Sequence, residues 1–335
     1  MIVNTDPFKR FVEIWLYLML LLIILIVFVG GLTRLTDSGL SITEWELFKG
    51  VFPPFNNETW NFYFNEYKKI PEYKEINFNM SISEFKVIFY WEYGHRLIAR
   101  VIGLFSILPL IYLFFKFKYY RKEIFKYLII FLLICFQGFI GWFMVESGLI
   151  NNTDVSHYRL ALHLSIAFII LSIVFWFILE NLKIKKFDIL LPHYFLVIFL
   201  FLIIIQIVLG AFLAGLDGGL LYNTWPDMNG VFIPSDVDIK DIFLLESSAN
   251  PSVVQFYHRI IAYLILIFLI ILNYLFYRNN FSYKSLVVLN FAIFLQVLIG
   301  IITLITGVKI IYASLHQLGS ILVLTSFLFI IYKNN

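Results

Sequence analysis

Apolar residues run along the chain in eight stretches of spanning length, near 12–31, 87–115, 125–145, 160–179, 193–214, 253–277, 286–306 and 311–332. About 20 apolar residues cross a bilayer core as a helix, so the pattern predicts an all-α polytopic membrane protein with eight transmembrane helices. The basic residues between these stretches alternate. Lys9 and Arg10, then Lys116, Lys118, Arg121, Lys122 and Lys126, then Lys183, Lys185 and Lys186, then Arg278 and Lys284, and finally Lys333 fall on one side. The short connections on the other side, 146–157 and 307–311, hold only Lys309. An excess of Lys and Arg marks the cytoplasmic face, which predicts cytoplasmic N- and C-termini. Two outside segments, roughly 32–86 and 215–252, are long and turn-rich at Val51–Pro54 and Ser247–Pro251. They are expected to form ordered caps or short interfacial helices.

Composition agrees and narrows the class. Of 335 residues 61% are hydrophobic and 14% charged, with a mean hydropathy of +0.87. A soluble domain carries about 45–50% apolar and about 25% charged residues, so a soluble globular enzyme is excluded. The net charge of +3 is too small to imply a nucleic-acid partner. The single cysteine, Cys135, provides neither a disulfide framework nor a cysteine metal site. The N-terminal MIVNTDPFKR runs into a full-length span, which reads as a retained first helix rather than a signal or transit peptide.

Self-similarity divides the spans into two sets of four. Trp91–Arg96 on the second span answers Val254–Arg259 on the sixth, and Gln137–Gly141 on the third answers Gln296–Gly300 on the seventh. Tyr158–His163 on the fourth answers Tyr312–His316 on the eighth, and Gly30–Arg34 loosely answers Gly210–Gly215. Four crossings are an even number, so both copies enter the membrane the same way up. The expected architecture is a pair of pseudo-symmetric four-helix bundles, residues 1–185 and 186–335.

Four of the six histidines, His95, His163, His258 and His316, occupy repeat-matched positions on even-numbered spans, in their outer halves. A lone imidazole in a bundle can be a hydrogen-bonded core residue, but intramembrane ionisable groups are rare and usually functional. Histidine pairs on facing helices are a means by which bundles hold metals and haem. Without a thiolate or carboxylate cluster they make a poor closed zinc site, whereas haem needs two axial nitrogens, an apolar slot and cations for its propionates. His157 and His193 lack repeat partners and read as interfacial residues. Arg96 and Arg259 follow two of the matched histidines, and Arg34 lies just outside the first span. For these arginines, propionate pairing and snorkelling to headgroups both stand. One position breaks the symmetry: Glu92 precedes His95 by three residues, on the same helix face, where the other half has Gln255 before His258. The contrast suggests proton chemistry in one half and cofactor holding in the other; neutralisation of Arg96 by Glu92 is the plainer alternative.

Several of these segments together resemble a known family. Gly30–Ser41, Glu92–Arg96, Tyr158–Leu164, Ala214–Met228, Gln255–Arg259 and His316-Gln317 are similar to motifs of the haem A synthases, in their proteobacterial and mitochondrial branch. The likeness covers essentially the whole chain, and the stretch 214–228 is the most specific part of it. The resemblance implies oxidation of the C8 methyl of haem O to a formyl group by two successive hydroxylations, giving haem A for cytochrome oxidase. It implies that His258 and His316, with Arg259, hold a resident haem b in the C-terminal half, and that His95, His163 and Arg96 bind haem O in the N-terminal half. Glu92 is then the catalytic carboxylate, shuttling protons or stabilising a cationic intermediate. The first external loop has no cysteine pair, so no loop disulfide carries over from the branch that has one.

The implied partners are haem O as substrate, a haem O synthase (protohaem farnesyltransferase) as its source, and a membrane electron donor that the sequence does not name. The implied location is a bacterial inner membrane, and a homo-oligomer is left open. Two other readings compete: a bis-histidine b-type cytochrome acting only in electron transfer, and a proton-coupled transporter. The transporter is disfavoured because the odd spans carry no matching ionisable residues and no discontinuous helices are evident.

Overall fold

The computed structural model describes residues 7–46, 49–120, 123–150, 152–242 and 244–335. In chain order the helices are α1 (Pro7–Leu35), α2 (Asn57–Tyr67), α3 (Pro71–Glu75), α4 (Ile82–Ser106), α5 (Leu108–Tyr120), α6 (Ile124–Leu149), α7 (His157–Asn181), α8 (His193–Gly215), α9 (Ile239–Ile242), α10 (Pro251–Arg278), α11 (Lys284–Ile305) and α12 (Ile310–Asn334). Eight helical spans are long and apolar enough to cross a membrane, with α4 and the start of α5 forming one continuous span, Ile82–Phe115. This is the all-α multi-pass architecture that the hydropathy pattern predicts. The residues form two compact units, one of 1–159 with 169–174 and one of 160–168 with 175–335, so α7 contributes to both.

In the first unit α1 packs along α4. The break between α4 and α5 at Ile107 has a local cause. Pro109 has no N–H to give to the carbonyl four residues back, and that carbonyl, Phe105 O, instead accepts the indole N–H of the buried Trp15 at 2.9 Å. The hydropathy pattern reads 87–115 as one uninterrupted span; the proline explains the kink. At its other end α4 is longer than that pattern indicates. It starts at Ile82 behind a capping box in which Ser81 and Glu84 satisfy each other's exposed backbone donors.

The added turns of α4 carry the cap. Phe85 and Phe89 meet Trp60, Phe64 and Tyr67 of α2 in an aromatic cluster that also takes in Leu40, Ile42 and Ile70. The long first external segment is therefore an ordered cap with its own core. The second external segment, 216–250, holds short 3-10 turns and α9. Its end caps α10: the Asn250 side chain accepts from Ser252 N and Val253 N, and Pro251 occupies the first turn, where its missing N–H costs nothing.

The second unit is tied internally by polar pairs as well as by packing. Asn273 on α10 and Asn290 on α11 exchange amide hydrogen bonds, both 2.9 Å. The link before α8 is pinned to the end of α12 by Lys186 Nζ on Tyr332 O at 2.5 Å and Leu191 N on Asn334 Oδ1 at 2.6 Å. Phe199 of α8 packs on Phe268 of α10 and Phe327 of α12, with ring centres 5.7 and 4.5 Å apart.

Within the cap, Glu72 is buried and accepts from the Tyr67 hydroxyl at 2.9 Å and from Asn77 Nδ2 at 3.3 Å. Its carboxyl is pushed up to about 8, chiefly by burial and to a lesser degree by the negative charges of Glu92, Asp154 and Asp37, against the Tyr67 bond, which lowers it. A raised carboxyl pKa means that the folded cap holds a proton the unfolded chain has released. Stability is therefore full below the unfolded value of 4.5 and falls as pH rises towards 8. We expect the cap to melt at a lower temperature at pH 8.5 than at pH 5 when followed by tryptophan fluorescence, and Glu72→Gln to flatten that dependence; an unchanged slope in the variant refutes the assignment. Phe85→Ala removes the fully buried centre of the cluster and should cost about 3–5 kcal/mol, read as faster proteolysis of the external segment.

Candidate functional site

Two of the repeat-matched histidines meet in the second unit. His258, from the third turn of α10, and His316, from the second turn of α12, lie edge to face with ring centres 6.4 Å apart and planes inclined by 67°. Each ring rests against a glycine on a neighbouring helix. A Cβ on Gly210 of α8 would stand 3.3 Å from His258 Cε1, and one on Gly300 of α11 would stand 2.7 Å from His316 Cε1. The glycines are required by close approach, since any side chain there displaces an imidazole. Gln296 of α11 brackets His316 twice, its amide N–H donating to His316 O at 2.9 Å and its backbone O lying 3.2 Å from His316 Nδ1. A proton on Nδ1 then goes to Gln296 O and leaves Nε2 with a free lone pair. Gln206 of α8 lies 3.1 Å from His258 Nε2. His258 Nδ1, Gln206 Oε1, Gln296 Oε1 and Arg259 Nε are buried without a hydrogen-bond partner.

In the first unit the same design recurs around His95. A Cβ on Gly30 of α1 would approach His95 Nε2 to 3.1 Å, matching the Gly210 contact on His258. Three residues earlier, Glu92 is buried and fully engaged. Its Oε2 accepts from Ser41 Oγ and from the Ile42 amide, both at 2.7 Å. Its Oε1 accepts from Arg96 Nε at 2.9 Å and Nη2 at 2.6 Å. Arg96 also reaches the backbone oxygens of Ile42 at 2.8 Å and Glu44 at 3.1 Å. Glu92 and Arg96 together therefore hold the returning external segment onto α4.

The matched residues of α10 hold their loop with the opposite polarity. Gln255 Nε2 donates to Tyr222 O at 3.1 Å, and Arg259 donates to Tyr222 O at 2.9 Å and Asp227 O at 2.6 Å. Tyr222 is anchored in turn through its hydroxyl to Asp236, which also accepts from Ser252 Oγ at 2.6 Å.

Of the residues singled out by the sequence, the structure brings His258 to His316 and Glu92 to Arg96. His163 sits on α7 within the 160–168 segment of the second unit. Arg34 Nη1 bonds Asp37 at 2.7 Å and lies 3.7 Å from Asp154. His157 packs at a tilt against Tyr158, and His193 is exposed at the start of α8. Sequence reasoning missed Gln206 and Arg100. A lone amide in the run Phe201–Gly210, one turn before a matched glycine, and an arginine four residues beyond Arg96, were both available as signals. Arg100 Nη2 donates to Glu46 O at 2.7 Å.

Comparison with known proteins assigns the chain. Residues 13–328 match the COX15-CtaA family, described as cytochrome oxidase assembly protein. The chain belongs to the COX15-CtaA family. It is 58% identical over 335 residues to the heme A synthase of Pelagibacter ubique (strain HTCC1062), covering 100% of both chains. It is 44% identical over 319 residues to the heme A synthase of Rickettsia bellii (strain OSU 85-389), covering 93% of this chain and 94% of that one. It is 42% identical over 329 residues to the heme A synthase of Rickettsia africae (strain ESF-5), covering 95% and 96% respectively. For a COX15-CtaA chain the decisive local contrast is Glu92 against Gln255, an acid and an amide at one place in two copies of the same clamp. We expect Arg96→Ala to strip two donors from Glu92 and loosen the segment after Ser41; hydrogen exchange at Ile42 should rise in that variant, and an unchanged rate rules the clamp out.

Proposed function

We propose that this chain makes haem A from haem O, oxidising the C8 methyl of the substrate to a formyl group through two hydroxylations and loss of water. Enzymatic haem A synthesis is supported by the family match and by full-length relatives that carry that activity in their names. The observation that carries the reading within the molecule is the His258–His316 pair in the second unit, taken together with the differently equipped His95 in the first.

The second unit suits a bound haem. His258 and His316, with ring centres 6.4 Å apart, would supply the two nitrogen donors that hold it. Gly210 and Gly300 bring no Cβ against the rings, the Gln206 side chain lies 3.1 Å from His258 Nε2, and His316 has its outer partner in Gln296 O, the arrangement that fixes a ligating ring's tautomer. Residues 186–335 would hold a resident haem b through His258 and His316, with the unpartnered Nε of Arg259 available to a propionate. When bound there, that haem supplies one-electron transfer.

Residues 1–185 would bind haem O through His95 and His163, with Arg96 for its propionates. Glu92 would be the catalytic carboxylate. Its four hydrogen-bond donors fix its position, and a carboxylate held that way can stabilise positive charge or take up a proton. An electron-transfer cytochrome would use the four histidines equally well and would leave Glu92 only its structural task in the loop clamp. The protein would sit in a bacterial inner membrane with both termini in the cytoplasm. Haem O, too apolar to cross water freely, would be handed over by a membrane-bound haem O synthase.

In purified protein a low-spin haem b spectrum should be lost in His258→Ala and in His316→Ala, and survival of the spectrum in both overturns the ligand pair. Glu92→Gln should retain that spectrum and lose haem A formation, measured by chromatography of haems extracted from cells that contain haem O. Normal haem A from that variant removes the catalytic role, and no haem A from cells with the unaltered protein removes the enzyme. Gly300→Ala should shift the midpoint potential and the electron paramagnetic resonance signature of the bound haem. Gly138→Ala, whose added methyl would meet nothing within 4 Å, should leave both unchanged; equal behaviour of the two variants refutes the cradle.

A further inference from the structure

The span Ile82–Phe115 has 34 residues, about 51 Å of helix at 1.5 Å per residue, far more than the roughly 30 Å of a bilayer's hydrocarbon core. The excess lies at the cap end, because the other end runs into Lys116 and Lys118. Counting about 20 residues back from Phe115 reaches Arg96, and the same count back from Arg278 along α10 reaches Arg259. Both guanidiniums thus stand at the edge of the hydrocarbon, and both bind the backbone of an external loop there.

In the first unit that loop stays at the edge for several residues. Ile42 O and Glu44 O are held by Arg96 and Glu46 O by Arg100, and Val51 O accepts from the Tyr93 hydroxyl at 2.7 Å. Gly50 is packed so closely on Arg100 that a Cβ would stand 2.7 Å from Nη2. At this level the loop turns its largest apolar side chains outward: Trp45 is 48% exposed, Phe52 71% and Phe55 81%. Between the two phenylalanines stand Pro53 and Pro54, which carry no backbone N–H. The most outward part of the loop therefore lacks two donors that lipid could not satisfy, while the carbonyls of Ile42, Glu44, Glu46 and Val51 are satisfied by α4 side chains.

We propose that Trp45, Phe52 and Phe55 form an interfacial anchor, inserted at the boundary between headgroups and acyl chains of the leaflet beside the cap. Aromatic side chains concentrate at that boundary, and a proline-stiffened aromatic tip at the matching depth fits lipid chemistry. The anchor continues directly into Ser41 and Ile42, the donors on Glu92. It depends on membrane depth and hydrogen bonding alone, so it stands or falls apart from the haem reading.

The test uses the full chain in lipid vesicles. In a Cys135→Ser background, Phe52→Cys and Phe55→Cys are spin-labelled and compared with Glu66→Cys on the cap and Phe114→Cys in the span. The labels at 52 and 55 should be relaxed strongly by oxygen and weakly by a water-soluble nickel chelate, like the label at 114. Nickel access equal to that at 66 overturns the proposal, and so does protection from both reagents, which would mean that a protein partner or a second copy covers the tip. Phe52→Trp, which keeps an aromatic tip, should show fluorescence quenched by lipids brominated near the top of the acyl chain, and no added quenching relative to the parent also overturns it.

Discussion

A hydrogen-bonding group at membrane depth has no water to turn to, and the organisation of this chain follows from that constraint. The same holds for a carboxylate buried in protein: Glu92, one turn beyond the hydrocarbon edge at Arg96, is tolerated because Ser41, Ile42 N and Arg96 surround it with donors. Those donors come from an external segment, so the segment must lie against α4, and the cap above it must be rigid enough to keep it there. Phe105 O, released by Pro109, is met by Trp15 for the same reason. The Asn273–Asn290 exchange and the caps of α4 and α10 are further instances.

Against that background the atoms left unsatisfied stand out. His258 Nδ1, Gln206 Oε1, Gln296 Oε1 and Arg259 Nε all lie on the helices that frame the His258–His316 pair. Buried atoms without a partner occur elsewhere among the described residues too, Ser285 Oγ at the start of α11 for one, but four of them gather on the helices around this histidine pair. The flanking glycines make the same point by shape, since they keep the rings accessible where alanine would push them aside.

The sequence announced the spans, the four-plus-four repeat and the histidines because each is a periodic or compositional signal. Helix length, spacing of 163 residues between Glu92 and Gln255, and the glycine matches survive any detail of packing. It did not announce the bend at Ile107, although Pro109 was visible, because the chain hydropathy is continuous across it. Nor did it reveal that Arg96 and Arg259 each grip loop carbonyls, because backbone acceptors carry no residue identity. Gln206 escaped notice because its repeat mate, Ile26, is apolar, and a search for matched polar positions passes over a singleton.

The opposed polarity of the two loop clamps makes the two halves unequal in what they accept. Glu92 can only accept from its loop while ionised and takes a backbone N–H, from Ile42, whereas Gln255 donates to a carbonyl, that of Tyr222. Exchanging the loops between halves would set the Glu92 carboxylate against a carbonyl oxygen, whereas Gln255 could meet the Ile42 N–H through its Oε1, which has no partner in its own clamp. The exchange would therefore fail in one direction only: an amide at this position tolerates either loop, and an ionised carboxylate tolerates one.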